Sequence, residues 1–557
     1  MTCMRRRNAN GSARSTGLIE HFCFERFAGT GPGPAQFSTS CGYHPALIRR
    51  EPVAGLPDAY RRVTRPRSLT VPHVILIQGR SGPMPDRLTK IRSRLEAHNQ
   101  AHVLSWADEL NADQLQQLLD QIEQIDFEAL DELIDQHIHH PDGSDLPSEL
   151  EPAPYFPEDM PEDEMARYRA EGGQLLRDGK VAAFTVAGGQ GTRLGWNGPK
   201  GTYPATPVTG KPLFRIFAEQ ILASQHKYGV TIPWYIMTSP INDADTRAFF
   251  LDNNCFGLDR KNIFMFPQGV MPSLDAETGR ILLSAKHEIA MNPDGHGGSI
   301  KALRESGAIE DMAARGIEHI SYFQVDNPLA KVIDPLFLGL HATAAESSGE
   351  MSSKMVAKAY PEEKVGVFCR SEGKTIVVEY SDLPEDLAQQ TTDEGKLRFI
   401  AGNIAIHLFG VSFVERLTAD RHHFGLPYHR ALKKVAHIDP ETGEQVEPDQ
   451  PNAVKLETFV FDALPLAKQS LVLETSRVEE FAPIKNATGV DSAASSHEIQ
   501  TERHARWLAA CGLDVPRDDE GKVLARIEIS PLTALMPQDL QNVDLPTAIE
   551  PNAEMAF

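Results

Sequence analysis

Residues 181–200 read VAAFTVAGGQGTRLGWNGPK. The first six, Val181–Val186, are a short apolar run bounded by turn-forming residues, which predicts a buried strand. A loop follows with glycine at 188, 189, 191, 195 and 198. Glycine has no Cβ, so backbone N–H groups in such a loop can approach an anion closely. The string GxxxxGK[ST] is absent, which excludes a Walker loop. Gly189, Gly191 and Gly195 do form GxGxxxG, a loose relative of the dinucleotide fingerprint. That fingerprint needs a helix to begin at once and an acid at the end of the next strand. Here Pro199, Pro204 and Pro207 forbid the helix, and the next strand, Trp234–Thr238, runs into Ser239 without an acid. Arg193 and Lys200 place cations at either end of the loop, as a bound triphosphate and its departing pyrophosphate require.

Working outward, strands alternate with helices. Lys211–Tyr228 reads as a helix opened by Pro212. Trp234–Thr238, Asn262–Phe266 and His319–Val325 read as strands, the last running into Asp326. This alternation predicts an α/β fold: a mostly parallel, Rossmann-like sheet with helices on both faces and ligands beyond the carboxyl ends of the strands. Residues 354–410 are more β-rich, with Lys364–Arg370 and Thr375–Tyr380 expected to pair as a hairpin around Ser371-Glu372-Gly373. Residues 84–140 carry Leu and Ile at three- and four-residue spacing, the mark of packed helices. Residues 141–164 are rich in proline and acids and read as a solvated linker. The expected organisation is a leader over 1–83, a helical N-terminal piece and linker over 84–164, a central catalytic domain over 165–475 and a small mixed C-terminal domain over 476–557.

The 557 residues carry a net charge of −22, which argues against a general nucleic-acid binder. No run approaches the ~20 apolar residues of a membrane span. Residues 1–83 hold 12 Arg, no Lys and 4 acids, a net of +8, leaving 43 basic against 73 acidic residues elsewhere, a net of −30. Such an Arg-rich, acid-poor stretch is expected to be a disordered or non-native extension, with a targeting leader as the alternative. Cys255, Cys369 and Cys511 are far apart and show no CxxC spacing. That speaks against a zinc site and fits a reducing, cytoplasmic setting.

The glycine loop resembles the signature of the eukaryotic-type UTP:sugar-1-phosphate uridylyltransferases, L-x2-G-x-G-T-x-M-x4-P-K. Val186 stands for the Leu, Leu194 for the Met, and every other motif position agrees. Within that family the string AGGQGTRLG followed by PKG is most similar to the UDP-N-acetylglucosamine pyrophosphorylases. The resemblance runs from the helices after Met84 to Ile527–Pro531. It implies UTP and a sugar 1-phosphate as substrates, Mg²⁺ as cofactor, and neither nucleic acid nor membrane as partner. It implies nucleotide contacts from Val186, Ala187, Gly188, Gly189, Gly191 and Thr192. It also implies a uracil-reading role for Gln268 in Phe266-Pro-Gln, and a uridine and sugar loop at Pro293–Gly298 containing Gly295 and His296. Asp326 of Val325-Asp-Asn is the implied metal ligand. Glu379, Gly402, Asn403 and Phe459 are the implied sugar contacts. Arg193, Lys200 and Lys485, the last in Pro483-Ile-Lys-Asn, are the implied phosphate-binding cations. One position departs from the pattern. His296 stands where the acetylglucosamine enzymes usually carry Asn and where UDP-glucose pyrophosphorylases usually carry His followed by Gly-Asp; with His296-Gly-Gly298 the chain mixes the two patterns, and the alternative expectation is a UDP-glucose or broad-specificity enzyme.

Overall fold

The computed structural model describes residues 84–141, 146–147, 149–420 and 424–557, so the expected leader at 1–83 lies outside the described residues. Four parallel strands form its centre: β1 (Val181–Val186), β2 (Trp234–Thr238), β3 (Ile263–Pro267) and β4 (His319–Gln324), side by side in the order β4-β1-β2-β3. Their side chains sort alternately onto two apolar layers. Ala183, Trp234 and Ile236 pack with Phe214 and Phe217 of the helix Leu213–Tyr228. Ala182, Phe184, Tyr235 and Met237 pack with Ile300 and Leu303 of the helix Gly298–Glu305. Because both faces are covered, β1, β2 and β3 read as near-continuous apolar runs rather than alternating ones.

The parallel centre continues into antiparallel strands: β5 (Met351–Ala357), β6 (Val367–Ser371), β7 (Lys374–Val378) and β8 (Ala401–Gly410). β8 pairs antiparallel with β4 and β5, and β9 (Ser470–Glu474) lies parallel to β5. The β6–β7 hairpin turns on two residues, not the three expected. Ser371 pairs with Lys374, and Glu372 (φ 49°) and Gly373 (φ 76°) take the two left-handed positions that a two-residue hairpin turn requires. In β8, Ala405 has φ 55°, and its N–H is held by Asn403 Oδ1 at 2.9 Å. This irregularity shifts the pairing with β5 between His407 and Asn403.

The stretch expected as a solvated linker is partly ordered structure. Glu151–Pro152 adds to the sheet beside β6, and Ala153 and Met160 are buried. Its last acids, Glu162, Asp163 and Glu164, are the first turn of the helix Glu162–Arg177, where negative charge complements the helix dipole. The N-terminal helices Met84–Ala97, Ala112–Glu123 and Phe127–Ile134 share one core with Leu274, Ile281, Ile289, Val454 and Leu456. At the other end, the helix Ala493–Ala510 and the strand Arg526–Glu528 build a separate small core. That core is tied back to the central sheet's loops: Gln500 donates to Ala205 O at 2.8 Å, and Glu528 accepts from the N–H of Val208 and Thr209.

A buried ion network fastens the chain just before Lys485. Lys354 on β5 is fully buried and donates to both carboxylate oxygens of Glu480 (2.8 and 2.6 Å) and to Asp334 (2.6 Å). Lys331 reaches Glu480 at 3.0 Å. Burial alone would raise the Glu480 carboxyl, but the two lysines hold it below its ordinary value. Removing one partner leaves uncompensated buried charge, so Lys354→Met is expected to lower the unfolding free energy by about 3–5 kcal/mol. Urea denaturation checks this.

Candidate active site

The register of the parallel strands builds the site. Gln324 pairs with Val186, Val186 with Met237, and Met237 with Phe266, so the four carboxyl ends lie in one row. The glycine loop leaves β1, Ser239 follows β2, Gln268 follows β3 and Asp326 follows β4. Residues up to 139 apart in sequence, Ala187 and Asp326, thereby meet along one sheet edge.

The glycine loop folds back on itself. Gly191 N–H bonds Gly198 O at 3.0 Å, Lys200 N–H bonds Gly189 O at 3.0 Å, and Gln190 bridges Pro199. A Cβ at Gly191 would lie 2.7 Å from Trp196, so that glycine makes room for the indole. Asn242 does what the sequence did not show. It is fully buried, and its Nδ2 donates to Ala187 O (3.0 Å) and Gly189 O (3.3 Å), while its Oδ1 accepts from Ser239 N–H (2.8 Å). With these carbonyls occupied, loop N–H groups are left for an anion. Thr192 and Arg193 sit exposed at the tip in a short 3₁₀ turn. Arg193 is therefore not packed with the other expected phosphate contacts.

Lys200, Asp326, Lys485 and Asn403 do come together. Lys200 Nζ is 3.7 Å from Asp326 Oδ2, both side chains largely buried. Ile484 N–H donates to Asp326 O at 2.8 Å, which docks the Lys485 segment onto the end of β4. Asn327 secures it further, with Nδ2 donating to Glu480 O (2.6 Å) and Oδ1 accepting from Ala482 N–H (3.1 Å). Asp326, Asn403, Phe481, Pro483 and Lys485 line a cavity of about 60 Å³. Lys485 Nζ lies 3.6 Å from Asp491, whose carboxyl is raised by burial, lowered by Lys485 and raised again by Asp326.

Next to these cations stands an aromatic stack. Phe459 lies between His296 (ring centroids 5.3 Å apart, planes 22°) and His429 (4.4 Å, 20°). His296 Nδ1 accepts from Val460 N–H at 3.1 Å, and burial pulls the imidazole down to about 4. It is neutral at pH 7, with its proton on Nε2. His429 bonds Asp462 at 2.8 Å. The Glu379 carboxyl is raised by burial, with Asp382 and Asp462 adding and His429 and Lys485 opposing, which puts Glu379 in the same neighbourhood. His429 and Asp491 were not singled out from sequence, since a lone His or Asp in a polar segment gives no signal. Two expected glycines have packing reasons. A Cβ at Gly295 (φ 85°) would fall 2.3 Å from Thr458 O, and one at Gly402 would fall 3.1 Å from Val356 O.

A parallel α/β sheet with an anion-binding glycine loop, cations converging on a strand-end carboxylate and an adjoining polar-aromatic pocket defines a nucleotide-using transferase. The family described as UTP–glucose-1-phosphate uridylyltransferase matches residues 153–504, and the chain belongs to that family. It is 36% identical over 482 residues to UDP-N-acetylhexosamine pyrophosphorylase-like protein 1 of Xenopus tropicalis, covering 81% of this chain and 93% of that relative. It is 34% identical over 475 residues to UDP-N-acetylglucosamine diphosphorylase 2 of Arabidopsis thaliana, covering 81% and 90%. The crystal structure of the uridine diphosphate N-acetylglucosamine pyrophosphorylase of Trypanosoma brucei superposes with a TM-score of 0.70 at 26% identity, covering 85% of this chain and 99% of that one.

Asn242→Ala would leave two backbone groups, Ala187 O and Ser239 N–H, without that partner, while Gly189 O keeps Lys200 N–H. Unsatisfied buried groups cost about 1–3 kcal/mol each, so we expect a global loss of at least about 2 kcal/mol. Faster hydrogen exchange at Gly188–Gly191, read by mass spectrometry, checks that the loop is what loosens.

Proposed function

We propose that this chain transfers a uridylyl group from UTP to N-acetylglucosamine 1-phosphate, giving UDP-N-acetylglucosamine and pyrophosphate. The observation that carries the reading is the meeting of Lys200, Asp326 and Lys485 at the edge where the glycine loop leaves the sheet. An oxygen of the sugar phosphate bonds to the α-phosphorus of UTP, and the bond from that phosphorus to the oxygen bridging to the β-phosphate breaks. The sugar phosphate is already ionised at pH 7, so no base is needed. The work is positioning and charge stabilisation. Lys200, with Arg193 from the exposed tip, holds the β- and γ-phosphates that leave as pyrophosphate. Lys485 stabilises charge at the reacting phosphates. Val186, Ala187, Gly188, Gly189, Gly191 and Thr192 line the nucleotide, and Gln268 and Gly295 meet its base and ribose. His296, Glu379, Asn403, Phe459 and Gly402 border the sugar.

The donors present suit Mg²⁺. Among the described residues no three His, Cys, Asp or Glu side chains gather as a cage. A single strand-end carboxylate, Asp326, faces the phosphate-binding cations, and Mg²⁺ is commonly held by one or two carboxylates plus substrate phosphates and water. When bound, the ion supplies charge neutralisation across phosphate oxygens. Among the described residues Cys255, Cys369 and Cys511 form no disulfide, which supports a reducing cytoplasm. No helix of the described residues is long and apolar enough to cross a membrane.

Removing one preorganised charge typically costs ~100- to 1000-fold in rate. We expect Lys200→Ala and Lys485→Ala to lower kcat by that much in a pyrophosphate-release assay; turnover within about threefold of wild type would remove the residue from the role given. The second reading changes only the sugar, and His296 is the observation favouring it: with Nδ1 occupied, it presents one N–H donor where Asn would present both a donor and an acceptor. Assayed with UTP, N-acetylglucosamine 1-phosphate is expected to exceed glucose 1-phosphate by about tenfold or more in kcat/KM. The reverse order would establish the second reading.

A further inference from the structure

Gln268 leaves β3 with its side chain packed against Gly188 of the glycine loop. A Cβ at Gly188 would lie 2.2 Å from Gln268 Oε1, so the missing side chain at 188 makes room for the amide. At its other end, Gln268 Nε2 donates to Asp294 Oδ1 at 3.4 Å. Asp294 is only 6% exposed. Glycines enclose its carboxylate: a Cβ at Gly269 or Gly298 would fall 2.4 or 2.1 Å from a carboxylate oxygen. The backbone of Asp294 is fixed as well, its carbonyl accepting from Thr458 N–H (2.8 Å) and its N–H donating to Gly269 O (3.3 Å). Ser239, at the end of β2, has a buried Oγ with no hydrogen-bond partner among the described residues, and its Cβ approaches the Gly188 position within 3.5 Å.

A carboxylate can only accept hydrogen bonds, whereas an amide has a donor end and an acceptor end. Facing Asp294 therefore decides which end of Gln268 is left for the glycine-loop side: the oxygen. Uracil and cytosine differ on this point. Uracil presents N3–H flanked by two carbonyls, while cytosine presents a bare N3 acceptor beside an amino group. An amide free to flip serves both bases, and one whose oxygen is held toward the base accepts from uracil N3–H and opposes cytosine N3.

We infer that Asp294 is a positioning residue that makes the site select uracil over cytosine, by holding the Gln268 amide in one of its two orientations. This rests on the uridylyl-transfer reading above. Burial pushes the Asp294 carboxyl up to about 6; the Gln268 hydrogen bond and Lys301 pull it down, and Glu305 pushes it further up. Facing the same cavity are Tyr428, whose phenol burial raises to about 12, and Asp126 and Glu132 of the Phe127–Ile134 region. Because the folded value lies above the ordinary carboxylate value, the acceptor-only form prevails above about pH 6 and is lost as pH falls through it. A protonated Asp294 can donate to Gln268 Oε1, which admits the flipped amide. Selectivity therefore falls on acidification.

The experiment compares kcat/KM for UTP and CTP, with the same sugar phosphate, from about pH 5 to about pH 8.5 in wild type, Asp294→Asn, Gln268→Ala and the double variant. Calorimetric Kd values for UTP and CTP without sugar phosphate give a readout independent of turnover. The ratio UTP:CTP is insensitive to the amount of folded enzyme. In wild type it should drop about tenfold or more between neutral and acid pH. In Asp294→Asn it should be lowered about tenfold or more and no longer change with pH. In the Gln268→Ala background, adding Asp294→Asn should change it by less than about twofold. A ratio in Asp294→Asn within about twofold of wild type, or a wild-type ratio flat across the range, overturns the inference. If Asp294→Asn does not fold, Asp294→Ser takes its place in the same comparison at neutral pH, where cytosine N3 is unprotonated. Failure of wild type to bind or turn over UTP overturns the uridylyl-transfer reading instead.

Discussion

The parallel register of β1 to β4 is the constraint on which the rest depends. Parallel strands connected through helices must all end on the same side of the sheet, and the pairing of Gln324 with Val186, Val186 with Met237 and Met237 with Phe266 brings those ends level. A loop of glycines, an amide and a carboxylate then emerge side by side from segments otherwise far apart in the chain. A slip of one residue in any pair would turn the apolar side chains of that strand to the wrong layer. The hydrophobic sorting of Ala183, Phe184, Trp234 and Tyr235 therefore also guards the site's geometry.

The second requirement is to bring Lys485 from the far end of the chain to the end of β4. Here the fold adds charge to apolar packing, for Phe481 and Ile484 already belong to the main core. Lys354, Lys331, Asp334 and Glu480 form a buried network, and Asn327 bonds the adjoining backbone. Buried ion pairs repay their desolvation only with close geometry, and the contacts of 2.6–3.0 Å among these groups meet that condition. The result is a rigid platform for a flexible lysine. The site's electrostatics are local for the same reason: outside residues 1–83 the chain carries a net of −30, yet Lys200 and Lys485 are both brought to Asp326.

Much of the fold was legible because strong signals were local. The apolar runs of β1 and β2, the glycine spacing and the proline pattern after it led to the parallel centre and the phosphate-type loop. The antiparallel flank was less legible, since half-buried strands such as β7 and β8 carry weaker patterns and their pairing is decided by partners. In the stretch 141–164 the prolines and acids signal solvation, whereas three of the acids form a helix's first turn and two residues join the sheet. Within the site, Asn242 and Asp294 were silent as chemistry because their roles lie in hydrogen bonds to other loops. The positive φ of Ala405, beside Asn403, has no sequence mark at all.

What the sequence by itself determined is the family, the glycine loop and the set of residue types able to bind a nucleotide and a sugar phosphate, because those depend on side-chain identity and short spacing. What only the tertiary structure decided is which groups meet and in what state: Lys200 against Asp326, His296 held neutral with its proton on Nε2, and the Gln268 amide turned by Asp294. These depend on burial and on partners supplied by distant segments, and no local pattern encodes them.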